Sequence, residues 1–212
     1  MPEHAANGTA RLPLAERRKA DTRREITREA VRLFVEHGSD GVSAEEIART
    51  AGISTRTFWR YFATKEQAAA PLLAAGLDQT IDHFRDRPAG EPLLEALGRA
   101  SVHNSTTWSE TSTMLTLVRQ ARDSAELRAV WLQVHHDIER RLAEVIAERR
   151  GASPQDLRSR LQAGMAVLAL RTAMEEYAWQ SEGSSPRSGA EVLQEALSIV
   201  AEGFEGDGSL AS

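Results

Sequence analysis

The run "SAEEIARTAGISTRTFWRYF", residues 43–62, restricts the fold of this chain more than any other stretch. Ser43 stands three residues before Glu46, which is capping-box spacing, and Ser54 can cap a second helix after Gly52. Each piece is therefore a helix of only about two turns, and helices that short are not stable alone in water. They must pack on a longer neighbour. The preceding residues supply it: Ile26, Ala30, Leu33 and Phe34 recur at helical spacing, and Gly38 is a natural stop. Thr22 and Glu25 have capping-box spacing, so the spacing predicts a first helix over Thr22–His37, or from an earlier start near Leu14. Three helices with a glycine turn between the second and third describe a helix-turn-helix.

The third helix divides by face. With Thr55 at zero and about 100° per residue, Phe58 and Phe62 fall together near 300° and 340°. Arg56, Thr57 and Arg60 fall on the other side, flanked by Trp59 and Tyr61. The phenylalanines read as core plugs, and the rest as an outward polar and aromatic face. Arginine can take guanine O6 and N7 together, and hydroxyls can bond phosphates. Ser43 and the pair Thr64-Lys65 open neighbouring helices and put backbone amides and an ammonium near the same face. The basic segment Arg17–Arg24, with Arg18 and Arg23, can lie along a DNA backbone or enter a minor groove. The alternative is a helical corner with a solvated basic rim.

Charge is distributed unevenly. Residues 1–66 hold 12 Lys and Arg against 10 Asp and Glu, and the remainder holds 14 against 21, within a net charge of −5. A basic head on an acidic body suggests two parts with different partners, although a salt-bridged helix face accounts for the same charges. The chain has no cysteine, which excludes disulfides, thiolate metal sites and a cysteine nucleophile. No apolar signal region and no run of about 18 apolar residues is present, so a cytoplasmic protein is expected. Nucleophile elbow, phosphate-cradling glycine loop and paired catalytic carboxylates are all missing. His135 and Glu139 share a helical face, but zinc needs further ligands. Neither enzyme activity, metal nor cofactor is expected.

The whole chain reads all-α, with about nine helices. Beyond the head, helices are predicted from Thr64 to Phe84 with a kink at Pro71, then over Pro92–His103, Ser109–Ala121 and Ser124–Arg150. Another runs from the Ser153-Pro154 cap to Gln180, and the last spans Ala190–Phe204. The expected organisation is a disordered tail over 1–15, a helix-turn-helix over 16–66, a bundle over 67–206 and a tail over 207–212. Between 153 and 180 there are two apolar stripes: Leu157, Leu161, Gly164, Met165, Leu168 and Thr172, and then Val167, Leu170, Met174 and Ala178. A helix apolar on two sides is sandwiched, here between its own core and a partner subunit. With the last helix it is expected to form a two-fold, four-helix interface through Leu168, Leu193, Leu197, Val200 and Phe204; a single monomeric core is the alternative. Arg171 stands in an apolar run with Glu175 four residues on. It is either a salt bridge or an anchor for an anionic ligand. Trp108, Trp131 and Trp179 line a pocket or fill core.

Residues 26–67, "ITREAVRLFVEHGSDGVSAEEIARTAGISTRTFWRYFATKEQ", closely resemble the DNA-binding domain of TetR-family transcriptional regulators. The likeness rests on "LF..HG" at 33–38, "V....IA..AG.S" at 42–54 and "TFWRYFATKE" at 57–66. It implies a homodimer that places the third helix of each subunit in a major groove of a palindromic DNA operator. It implies base or sugar contacts from Thr55, Arg56, Trp59 and Arg60, and phosphate contacts from Ser43, Thr57, Tyr61 and Lys65. Trp59 departs from the tyrosine common there, and its indole offers only an N–H. The C-terminal half is similar in texture to regulators found near mycofactocin clusters, some of which respond to acyl-coenzyme A thioesters. The expectation is a dimeric repressor released by a small-molecule effector, an acyl-coenzyme A or another apolar anion, with the helix after the head as the lever. A helical small-molecule-binding or scaffold protein with a vestigial DNA-binding unit is the alternative.

Overall fold

The computed structural model describes residues 13–103, 112–180 and 187–203. Within them lie nine α-helices and one 3₁₀ turn, and no strand. The head consists of α1 (Leu14–His37), α2 (Ala44–Thr50) and α3 (Thr55–Tyr61). A 3₁₀ turn at Glu66–Ala69 leads into α4 (Ala70–Arg85). The body continues with α5 (Leu93–His103), α6 (Ser112–Asp123), α7 (Ala125–Arg150), α8 (Leu157–Trp179) and α9 (Gly189–Glu202).

The first helix begins at Leu14, at the earlier of its two possible starts, so Leu14 and Ala15 belong to it and not to a tail. Thr22 does not cap. Its hydroxyl donates to the Arg18 carbonyl at 2.9 Å, the bond a threonine makes inside a helix. The residues before it, Leu14 to Asp21, are mostly good helix formers and carry the helix past the cap signal. Farther along, Arg32 bridges Glu29 and Glu36 at 3.1 and 2.8 Å on the solvent face. The opposite face buries Ile26, Ala30, Val31, Leu33 and Phe34.

Gly41 allows the α1–α2 turn to be tight, since a Cβ there would sit 2.6 Å from the His37 carbonyl oxygen. Gly52, at φ 67°, closes α2 in a Schellman motif. The Ile53 N–H reaches the Ala48 carbonyl at 2.9 Å and the Gly52 N–H reaches Arg49 at 3.2 Å. Ser54 then caps α3 by accepting from the Thr57 N–H at 3.1 Å. These bonds aim α3 across α1 and α2 and drive Phe58 and Phe62 into the core, where they are 0% and 3% exposed.

Two other predicted helix starts are corrected. Thr64 accepts from the Gln67 N–H at 3.2 Å, but the turn it opens is 3₁₀, and Pro71 lies in the first turn of α4 and kinks nothing. Proline has no N–H to donate and fits a first turn, where none is needed. At the other site, α8 starts at Leu157 and not at Ser153-Pro154. Asp156 is the stronger cap: its carboxylate accepts from the Ser159 N–H at 3.0 Å and from Arg150 at 2.9 Å. The Ser159 backbone and then Arg150 hold the Asp156 carboxyl below its ordinary range. Ser188 and Glu191 form a reciprocal capping box that opens α9.

One continuous cluster of buried side chains runs from the head into the body, from Phe34, Ile47 and Phe58 through Leu73, Leu77 and Phe84 to Leu127, Trp131 and Leu142. Ala169, Leu170, Ala173, Val192, Leu193 and Leu197 form a second, smaller one. The two stripes of α8 separate as their spacing predicts. Val167, Leu170, Met174 and Ala178 are buried, while Leu157, Leu161, Met165 and Leu168 stay open at 66, 56, 43 and 51% exposure. Leu193 and Leu197 do not join that open stripe. They are buried in their own chain, with Val200 packed beside them. The reason is α8 itself, whose inner residues Ala169, Leu170 and Ala173 pack against them with Leu94 of α5 alongside, an arrangement that sequence periodicity does not locate. Phe204 and Trp108 lie outside the described residues, as do the 1–12 and 207–212 tails.

Phe58→Ala should destabilise the protein by about 3–5 kcal/mol through the cavity it leaves. The neighbouring Trp59→Ala should cost no more than about 0.5 kcal/mol, because Trp59 is 47% exposed. Urea titration followed by circular dichroism measures both.

Candidate nucleic-acid interface

Once Phe58 and Phe62 are buried, the outward face of α3 is settled. Arg56, Trp59 and Arg60 are exposed, and Thr55, Thr57 and Tyr61 are partly so. The Trp59 ring meets the edge of Phe58 at 5.0 Å between centroids, which braces the indole without burying it. Arg60 lies over the Tyr61 ring at 5.7 Å. Tyr61 also packs against the main cluster, which stiffens that end of the face. Thr57 Oγ1 is 2.9 Å from the Ser54 hydroxyl, so one of its hydrogen-bonding positions is already taken by the cap.

The arginines here resemble Arg17, Arg18 and Arg23 near the start of α1, which have no carboxylate partner among the described residues, and differ from those farther along it. Arg24 pairs with Asp21, Arg28 with Glu25 and Arg32 with Glu36. Arg56 and Arg60 have no carboxylate partner among the described residues. An exposed guanidinium left uncompensated beside an exposed indole is suited to an external anion or a base edge.

Ser43 is exposed, and its hydroxyl accepts from the Glu46 N–H at 3.1 Å, capping α2. The Lys65 ammonium donates to the Ser39 carbonyl at 2.5 Å and lies 3.3 Å from Glu66. It therefore ties the start of the 3₁₀ turn ahead of α4 to the α1–α2 turn, a role its position in the sequence does not reveal. Arg18 is exposed on α1, while Arg23 stacks over Phe62 at 5.1 Å. Because residues 14–24 are helical, this segment can lie along phosphates, and only its side chains reach into an unwidened minor groove, since a helix with side chains is roughly 10–12 Å across and that groove is about 6 Å wide.

In the body, three of the residues expected to hold a ligand come together. Glu175 accepts from the Trp131 indole N–H at 2.8 Å and from Arg171 at 3.0 Å, so Arg171 and Glu175 form the ion pair that their spacing allows. Trp131 is 2% exposed and fills core. His135 joins it, its Nδ1 2.9 Å from the Trp131 carbonyl and the two rings 4.0 Å apart. His135 Nε2 is buried without a partner. Among the described residues no cluster of His, Asp and Glu could hold a metal ion. Several open clefts flank the bundle, two of them large. One, of about 860 Å³ between α1 and α4, has Val31, Val35, Pro71 and Leu72 on its walls and Arg24, Arg28 and Arg32 at its rim. The other, of about 600 Å³, lies between α5 and α9 over Leu193 and Leu197.

Burial lowers the pKa of His135 to about 4. An unfolded histidine protonates near 6.5, so between these values the unfolded chain binds more protons and stability falls as pH falls. Its contribution should be complete above pH 6.5 and down by about 2 kcal/mol at pH 5. Urea midpoints at pH 7.5 and pH 5 should show the drop, and His135→Met should shrink it.

With this geometry in view, comparison with known proteins is specific. Residues 26–69 match the family model described as "Bacterial regulatory proteins, tetR family". Residues 91–205, more than half of the chain, match the MftR C-terminal domain. The transcriptional regulator TcmR of Streptomyces glaucescens is 31% identical over 150 residues, covering 68% of this chain and 66% of that protein. A putative mycofactocin biosynthesis regulator, MftR of Mycobacterium tuberculosis, is 30% identical over 142 residues, covering 66% of this chain and 71% of that one. The Thermus thermophilus repressor FadR, solved with lauroyl-CoA, shares the fold at a TM-score of 0.57 and 23% identity, over 90% of this chain and 98% of that one. An exposed Arg-Trp-Arg helix on a buried phenylalanine plug and matches at both ends of the chain have one explanation: this protein belongs to the tetR family of bacterial transcriptional regulators, with an MftR-type C-terminal domain.

Proposed function

We propose that this chain is a homodimeric, cytoplasmic repressor with no enzymatic role, released from a palindromic operator by a small apolar anion. The observation that carries the reading is the α3 face: Arg56 and Arg60 without carboxylate partners, beside Trp59 at 47% exposure. Arg56, Arg60, Thr55 and Trp59 meet bases and sugars. Ser43, Thr57, Tyr61, Lys65, Arg18 and Arg23 meet or steady the phosphate backbone. The head ends near Glu66, and the rest binds effector and partner.

Dimerisation runs through the open stripe of α8, Leu157, Leu161, Met165 and Leu168, helped by Ile199 of α9 at 60% exposure. Four large apolar side chains spaced along one helix face are costly to leave in water and suit a two-fold packing. Leu193, Leu197 and Val200 support that face from beneath. The apolar walls of the larger cleft, Val31, Val35, Pro71 and Leu72, suit the acyl chain of an effector of the acyl-coenzyme A type, and the FadR neighbour was solved with such a compound. Operator and effector each favour one spacing of the paired heads, so each weakens the other. A coupling of about 1–3 kcal/mol gives a switch of roughly 5–150-fold.

Selection from a random duplex pool should return a palindrome, and affinity for it should fall steeply with salt. Arg56→Ala should relax the preference at one base pair of each half-site, costing about 1–3 kcal/mol against the best sequence. Weak, sequence-blind binding would overturn the reading and leave a helical small-molecule binder with a vestigial head. Leu161→Glu together with Leu168→Glu should give a monomer by light scattering and lose the palindrome while staying folded.

A further inference from the structure

The carboxamide of Gln120 on α6 makes two bonds to the base of the head. Its Nε2 donates to the Phe34 carbonyl at 2.7 Å, and its Oε1 accepts from the Ser39 N–H at 3.2 Å. A backbone carbonyl only accepts and a backbone N–H only donates, so the two partners fix the orientation of the amide. Ser39 is 3% exposed, and its own carbonyl takes the Lys65 ammonium. The turn that leads into α2 is thus held from the body by Gln120 and from the start of the 3₁₀ turn by Lys65.

The neighbours of Gln120 grip a different helix. Arg119 Nε donates to the Ala178 carbonyl at 2.6 Å, and Arg122 lies over the Trp179 ring at 5.3 Å. Both contacts are on the last turn of α8, the helix whose outer stripe is left open. A single turn of α6 therefore bridges the end of the dimerisation helix and the base of the DNA-binding head. We propose that Gln120 is a positioning residue for operator binding: through it α6 fixes the angle of the head on the body, alongside the covalent joint at α4. This rests on the operator-binding reading above.

The side chain is specific for the task. Leucine keeps the bulk and loses both bonds. Glutamate keeps the acceptor for Ser39 but sets a second acceptor against the Phe34 carbonyl. Asparagine is one methylene too short to span both.

The test uses the full chain and its selected operator, together with operators whose half-sites are moved by one and two base pairs. Wild type should discriminate sharply between these spacings. Gln120→Leu should narrow that discrimination by about tenfold, as expected when a pair of bonds that sets an angle is lost. Base preference within each half-site and the salt slope should stay as in wild type, since α3 is untouched. Gln120→Glu should fall between the two. Hydrogen exchange at the Ser39 amide should quicken in Gln120→Leu. A Gln120→Leu protein that melts earlier but keeps the wild-type spacing profile would overturn the proposal, for the residue would then be structural only. If wild type selects no operator, the DNA-binding reading fails on its own. Ser39 exchange then judges the tie: faster exchange in Gln120→Leu upholds it, and unchanged exchange removes it.

Discussion

Everything on the DNA side depends on Phe58. A helix of seven residues such as α3 has too few internal bonds to hold itself together. It persists because Phe58 is fully buried in the main cluster, its ring 5.8 Å from that of Phe62, and because Ser54 and the Gly52 turn set its first residue and its approach angle. The same burial rotates Arg56, Trp59 and Arg60 outward. The outward face of this head is therefore a by-product of packing: the side chains left exposed are those that the plug leaves no room for.

The body solves a different problem, that of a helix with two apolar faces. One face of α8 is covered by α7 and α9. It also takes part in a polar network in which Glu175 is shared between the Trp131 indole and Arg171. Such a network is tolerated in a core only when its members are satisfied, and the lone exception here is His135 Nε2. The other face is left to solvent within one chain. Head and body are not independent, because their buried side chains form one cluster and because Gln120 of α6 bonds across to Ser39 and Phe34.

The helix-turn-helix was legible in detail because its signals are local. Caps, glycine stops and a period of 3.6 residues all act within about one turn, so Ser43, Gly52, Ser54 and the buried pair Phe58 and Phe62 could be placed by spacing alone. Helix starts were less secure where two caps competed. Asp156 displaced Ser153 because it gathers more donors, and Thr22 lost its role because good helix formers preceded it.

Sequence by itself determined the all-α class, the head, its outward face and the two stripes of α8. These follow from periodicity and capping, which need no knowledge of what lies far along the chain. Tertiary structure alone decided that Leu193 and Leu197 are spent inside the subunit and that Lys65 holds Ser39. It also decided that Gln120 reaches across 86 residues to the end of α1. A polar side chain on a helix looks the same in sequence whether it meets water or another element's backbone. Only the packing of the helices, set by their buried faces, chooses between the two.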